Sequence, residues 1–296
     1  MRTASVGLAV VPFSKLLVAC GASDDDATPD AASADDTGAS PLDAAGPEDT
    51  STGRDAGSDA GPTAAWATGG TAAMIARDRY PNPFAGSGGS SCVVTCGATL
   101  GPCHTTSPER RDVSDGWDGL PVRLALRVVD ERCDPVPDAI VEIWHTSPRG
   151  IYSGQIAAIC NTDAEDRAAG YFRGYLRTDA DGRVDFDTCF PGWYPGRAIH
   201  VHYRVMTGAY DPADSAPAEV ISQLFFDDAL VSELFGSEPV YREFGQPDTT
   251  NGTDGVLGRA DPTPYVCDIA RLPDGAMQAS KTIVLRSVGA ACTIGR

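Results

Sequence analysis

From Cys92 onward, short β-branched and aromatic runs alternate with clusters of Gly, Pro, Asp and Asn. Runs of this kind read as strands: Val122–Val129, Ile140–Trp144, Gly174–Thr178, Val184–Phe186, Ile199–Met206, Val220–Phe226 and Thr282–Arg286. Asp181-Gly182, between two of them, is a hairpin signal. Short strands separated by turn residues, with few helix-period segments, predict an all-β fold. The expected architecture is a β-sandwich of short, mainly antiparallel strands with long loops. The stretches Cys160–Ala169 and Gly236–Asp261 are predicted to be loops that cover a site.

Before Cys92 the texture changes. Between Gly21 and Gly70 there are eleven acidic residues and one base, Arg54, among Ala, Gly, Ser, Thr and Pro. That is a net charge of −10 out of the chain's −18. Such a stretch has too little apolar surface to offset the entropy of ordering its backbone, so a disordered, solvated tether is expected. Residues 71–91 read as its transition to the domain, ending in the joint Ser87-Gly88-Gly89-Ser90. The expected plan is a signal over residues 1–20, a tether over 21–91 and one folded domain over 92–296. No basic stripe occurs, which argues against a nucleic-acid partner.

The first twenty residues resemble a lipoprotein signal. Arg2 precedes the mostly apolar Ala4–Phe13, and Leu17-Val18-Ala19-Cys20 resembles a lipobox. Pro12 and Lys15 interrupt the apolar run, leaving it short of the ~20 residues of a spanning helix. The expectation is an exported bacterial protein facing the periplasm or the cell exterior. It would touch the membrane only through a lipid on Cys20. Of nine cysteines, the other eight lie between Cys92 and Cys292, a number that suggests disulfides in an oxidising compartment. Eight cysteines allow about 105 pairings, and sequence selects none. Cys103–Cys133 is one bridge to consider.

Candidate chemistry concentrates in Pro191-Gly192-Trp193-Tyr194-Pro195-Gly196-Arg197-Ala198-Ile199-His200-Val201-His202-Tyr203. On a strand, His200 and His202 project to one face and Ile199, Val201 and Tyr203 to the other. Two imidazoles so placed can share a metal ion, although the same spacing also suits an exposed polar sheet face. Only four histidines occur in the chain, and two of them meet here. The Pro-Gly turn after Tyr194 can swing its phenol toward that face. Tyr152 sits in a second glycine-flanked turn, Gly150-Ile151-Tyr152-Ser153-Gly154, after the strand ending at Trp144.

These segments resemble the intradiol ring-cleavage dioxygenases, the family of catechol and protocatechuate 3,4-dioxygenases. The shared pieces include Leu100-Gly101-Pro102, Gly119-Leu120-Pro121, Cys133 through His145, Gly150 through Gly154, Phe172-Arg173-Gly174, Thr178 through Gly182, Phe190 through His202, and Ser222 through Phe226. The resemblance runs from about Cys92 to Asp228 and fades beyond. It implies a ferric ion held by Tyr152, Tyr194, His200 and His202. Anionic oxygen suits a hard trivalent cation, which would favour both phenols as tyrosinates. It further implies a catechol-type substrate opened by dioxygen between its two hydroxyls to a muconate-type diacid. In that chemistry Tyr194 would take a substrate proton. Arg197 would stabilise negative charge on the bound ring, and Gln223 would act from behind the ligands. His145 is expected to be structural. His104 stands where many relatives carry an aromatic residue; it is expected either to alter the substrate mouth or to be an exposed loop residue. Members of the family often assemble, so an oligomer is compatible with the resemblance, though no interface is legible.

Two other readings compete. Pro137 through Ile143 and Thr178 through Phe186 also resemble non-catalytic prealbumin-like binding modules, which would not need four metal donors. A zinc-binding exported protein or another metallohydrolase is the third reading, and two tyrosines are poor zinc ligands.

Overall fold

The computed structural model describes residues 65–86, 92–212, 218–286 and 292–294. The eight strands are β1 (Pro121–Val129), β2 (Ile140–Trp144), β3 (Arg173–Arg177), β4 (Arg183–Cys189), β5 (His200–Met206), β6 (Ala218–Phe225), β7 (Asp268–Arg271) and β8 (Met277–Val284). They form two four-stranded sheets, ordered β4-β1-β8-β7 and β3-β2-β5-β6. All neighbouring pairs are antiparallel except β1 with β8. Val122, Leu124, Leu126 and Val128 of β1 pack in one core with Val141 and Ile143 of β2 and Val201, Tyr203 and Val205 of β5. Alternate residues of both sheets thus meet in the middle, which makes a β-sandwich.

Strand positions follow the sequence expectation closely, but two regions differ. The last predicted strand, Thr282–Arg286, runs instead from Met277 to Val284, and β7 was not anticipated. Asp268–Arg271 shows only a half-buried pattern, so its pairing with β8 decides its conformation. The segments expected as loops contain short helices: α1 (Ala164–Ala168) in the first, and the end of α2 (Asp228–Ser237) and all of α3 (Pro239–Arg242) in the second. Asp163 and Asp227 cap α1 and α2 by accepting from backbone N–H groups, and Pro239 opens α3, where its missing N–H costs nothing.

The outward face of the β3-β2-β5-β6 sheet is also buried. All seven residues of β5 are buried, including His200, His202 and Arg204 on the side away from the central core. Glu142 of β2 lies beside Arg204, which donates to its Oε2 at 2.9 Å, and Tyr210 donates to its Oε1 at 2.8 Å. Loops therefore cover this face, and a pocket of polar groups is enclosed beneath them.

The boundary of the expected tether needs correction. Residues 65–86 pack on the folded unit and do not form a tether. Trp66 is buried beneath Arg271, whose guanidinium carbon lies 3.8 Å from the ring centroid. Ala67 N–H donates to Gly275 O at 2.8 Å, and the Tyr80 hydroxyl donates to Asp274 at 2.6 Å. Trp66, Met74 and Tyr80 supply the apolar area that the acidic stretch lacks. The lipobox, Cys20, residues 21–64 and the Ser87–Ser90 joint lie outside the described residues.

Three disulfides join Cys92–Cys133, Cys96–Cys292 and Cys103–Cys160. The Cys103–Cys133 bridge considered from sequence does not form. Each partner's Cα instead lies 5.5–5.7 Å from a different cysteine, a proximity that chain folding alone determines. Cys189 and Cys267 are buried thiols. No helix among the described residues is long and apolar enough to cross a membrane.

Candidate active site

The strand alternation anticipated for His200 and His202 holds in β5, and the register places their neighbours. His202 pairs across to Trp144 on one side and to Gln223 on the other. Trp144 stacks on the His202 ring with centroids 4.9 Å apart and planes 10° off parallel. Among the described residues His202 Nδ1 has no hydrogen-bond partner, and this stacking orients the ring.

The two tyrosine turns are packed against each other. Gly150 has φ +77°, and a Cβ there would lie 1.9 Å from the Trp193 carbonyl oxygen; a Cβ on Gly192 would lie 2.2 Å from the Pro148 carbonyl oxygen. Backbone thus touches backbone, and only glycine fits at either position. Gly192 N–H donates to Ser147 O at 3.0 Å, and the Thr146 hydroxyl donates to Gly192 O at 2.6 Å. Asn161, from the first covering segment, donates to Tyr152 O at 2.7 Å. From the second segment, Phe244 O and Gly245 O accept from the Trp193 indole, and Asp248 accepts from Gly196 N–H.

The result is one cluster. His200 Nε2 lies 3.2 Å from the Tyr194 hydroxyl, 3.4 Å from the Tyr152 hydroxyl and 3.2 Å from His202 Nε2. Nδ1–H of His200 donates to Ala198 O at 2.6 Å, which leaves Nε2 as a lone pair facing the other three groups. Burial pushes the His200 imidazole down to about 3 and holds that of His202 well below its usual range, so both rings are neutral at pH 7. Burial raises the Tyr152 phenol well above its ordinary value. Burial also raises Tyr194, against the opposing pull of the Arg197 charge. The sequence-predicted Tyr152, Tyr194, His200 and His202 are therefore brought together.

Arg197 and Gln223 meet beside this cluster. The Arg197 guanidinium donates to Gln223 Oε1, to the Tyr194 hydroxyl at 3.4 Å and to Asp254 Oδ2 at 2.8 Å. Gln223 Nε2 is buried without a protein partner. Burial disfavours the charged Asp254 carboxylate, but Arg197 and the N–H groups of Ala198 and Leu257 outweigh it and hold the pKa below the usual range. Asp254 was not anticipated. It lies fifty-seven residues from Arg197 in a chain rich in aspartate, so no spacing signal marks it.

Both expectations for His104 are corrected. It is neither exposed nor among the residues lining the cleft; it is fixed to Glu142 at 3.1 Å, edge-on to Trp144. His145 Nδ1–H donates to Thr146 O at 2.8 Å, and its Nε2 accepts from the Thr188 hydroxyl at 2.7 Å, leaving no lone pair for a metal.

A cleft of about 510 Å³ opens over the cluster, lined by Tyr152, Tyr194, Arg197 and His202 among others. The donor set fits a ferric ion. Two phenol oxygens and the Nε2 of His202 crowd within hydrogen-bonding distance of His200 Nε2, which itself brings no proton. Phenolate oxygen matches a hard, highly charged cation. Among the described residues, no three His, Cys, Asp or Glu side chains form a zinc-type cluster.

Comparison with known proteins points the same way. Residues 101–233 match the Dioxygenase family model. The chain is 33% identical over 84 residues to a hydroxyquinol 1,2-dioxygenase of Corynebacterium glutamicum, covering 28% of this chain and 25% of that protein. It is 32% identical over 104 residues to the protocatechuate 3,4-dioxygenase beta chain of Burkholderia cepacia, covering 30% and 43%. The matched segments span less than half the length of these curated relatives. An intradiol ring-cleavage dioxygenase from Tetranychus urticae has a similar fold, with TM-score 0.56 and 24% identity over 67% of this chain and 97% of that one. The family match over residues 101–233, the motif order and the shared sandwich make the chain similar to the intradiol ring-cleavage dioxygenases across that stretch.

Proposed function

We propose that this protein opens a catechol-type ring between its two hydroxyls with dioxygen, giving a muconate-type diacid, through a ferric ion held by Tyr152, Tyr194, His200 and His202. The observation that carries the proposal is the convergence of two phenols and the His202 imidazole on the neutral His200 Nε2. When bound, the ion supplies a Lewis acid that orients both substrate oxygens and draws electron density from the ring.

The chain's own groups supply the rest. Tyr152 and His202 form a buried floor, whereas Tyr194 is only partly buried and faces the cleft. Ionised by a bound cation, the Tyr194 phenolic oxygen would be the acceptor for a substrate hydroxyl proton. Arg197, 3.4 Å from that oxygen, would stabilise the negative charge it carries before the transfer. Asp254 holds the guanidinium in place, and the Gln223 Oε1 also accepts from it. A prealbumin-like module has no use for these buried, converging polar groups.

The test is metal analysis with a visible spectrum. Iron-loaded protein should be red-brown from tyrosinate-to-iron charge transfer and should consume dioxygen with catechol. Tyr194→Phe should shift the band and lower kcat at least about ten-fold. Colourless protein with no bound iron and no oxygen uptake sinks the proposal.

We also propose export with a lipid anchor on Cys20. Its support is the lipobox-like sequence together with three disulfides, which persist in oxidising compartments. Incorporation of a labelled fatty acid should vanish in Cys20→Ala.

A further inference from the structure

The cleft over the donor cluster is larger than a bare catechol needs. Its volume of about 510 Å³ lies in the range that encloses a drug-sized ligand. One ring with two hydroxyls leaves most of it empty. Depth sets the orientation: Tyr152 and His202, only 2–3% exposed, form the floor. A catechol held there by its hydroxyls turns its opposite edge toward the mouth.

That edge meets apolar surface. The lining includes Pro102, Ile151, Ile159 and Pro195. Ile159 is 85% exposed, an unfavourable state for a large aliphatic side chain in water. It is also held in place, because the adjacent Cys160 is bonded to Cys103, another lining residue. Among the described residues, Arg197 is the one cation in the lining, and it is already engaged by Asp254, Gln223 and Tyr194. A substrate carboxylate at the mouth would lose water and gain no partner. An apolar group there would cover Ile159.

Resting on the ring-cleavage reading, we propose that the preferred substrate is a catechol extended, at the edge remote from its hydroxyls, by an uncharged apolar group about the size of a second ring, and that Ile159 selects it. The contact is non-directional, so specificity comes from matched apolar area and from the absence of a free cation.

Two measurements test this on the iron-loaded protein: anaerobic titration calorimetry, and steady-state ring opening with 4-phenylcatechol, catechol and 3,4-dihydroxybenzoate. The kcat/KM for 4-phenylcatechol should exceed that for 3,4-dihydroxybenzoate at least about ten-fold, with the difference mainly in KM and matched in Kd. Ile159→Asp should cut that ratio at least about five-fold, whereas Ile159→Val should keep it. A preference for 3,4-dihydroxybenzoate, or an unchanged ratio in Ile159→Asp, overturns the substrate class and leaves ring cleavage standing. If none of the three is opened and none binds, the ring-cleavage reading fails and this inference fails with it.

Discussion

His145 shows how a single buried residue sets a pH limit. Burial pushes its imidazole down to about 4, against the favourable hydrogen bond to Thr146 O. In the unfolded chain the same ring titrates near ~6.5. The folded state therefore refuses a proton that the unfolded state accepts. The sign follows: stability from this group is complete above about pH 6.5 and declines as pH falls toward 4. Between those values its slope approaches about 1.4 kcal/mol per pH unit. Urea melts at pH 7 and pH 5 should show a smaller drop for His145→Gln than for the unsubstituted protein. Equal drops would show that His145 does not contribute to the pH dependence of stability. At the same scale, Asp254 has a role that its immediate sequence neighbours do not reveal: it neutralises Arg197 and accepts from Ala198 N–H.

The strand β5 and the two tyrosine turns are the elements that build the site. Strand alternation puts both imidazoles on one face without further instruction. The phenols arrive differently, through a contact between Gly150 and the Trp193 carbonyl that leaves no room for a side chain. Gly150→Ala should therefore separate the turns, lower stability by at least about 2 kcal/mol and reduce bound iron. Gly196 provides the comparison, because it also has a positive φ of +81° but nothing lies within 4 Å of its would-be Cβ. Gly196→Ala should cost only about 1–2 kcal/mol and keep its iron. Melting curves and iron content separate the two, and indistinguishable variants would show that the close approach is unimportant. The Cys103–Cys160 bridge acts on the same scale, joining two loops that line the cleft.

For the whole molecule, the folded unit starts earlier than composition suggests. Residues 65–86 bury Trp66 and Met74 and add hydrogen bonds to Gly275 and Asp274. Burying two such side chains is worth roughly 3–6 kcal/mol. A chain starting at residue 65 should accordingly melt at least about 5 °C above one starting at residue 92. Equal Tm values would show that the strap adds nothing. The cut matters for any activity assay, since a truncation through Gly70 removes Trp66 and a glycine whose N–H donates to Gly119 O.

Sequence by itself determined the local pattern. Period-two alternation, the turn chemistry of Asp181-Gly182 and the ordered motifs from Leu100 to Phe226 specified a β-sandwich, and they singled out the residues that cluster at its site. These features are legible because each depends on neighbours a few residues away. Tertiary structure decided what depends on distant neighbours: which cysteines pair, that β7 is a strand, that residues 65–86 fold back, and that Asp254 finds Arg197. It also gave the cleft its size and its apolar mouth. Those outcomes rest on contacts between segments tens to hundreds of residues apart, and their energies appear only once both partners are in place.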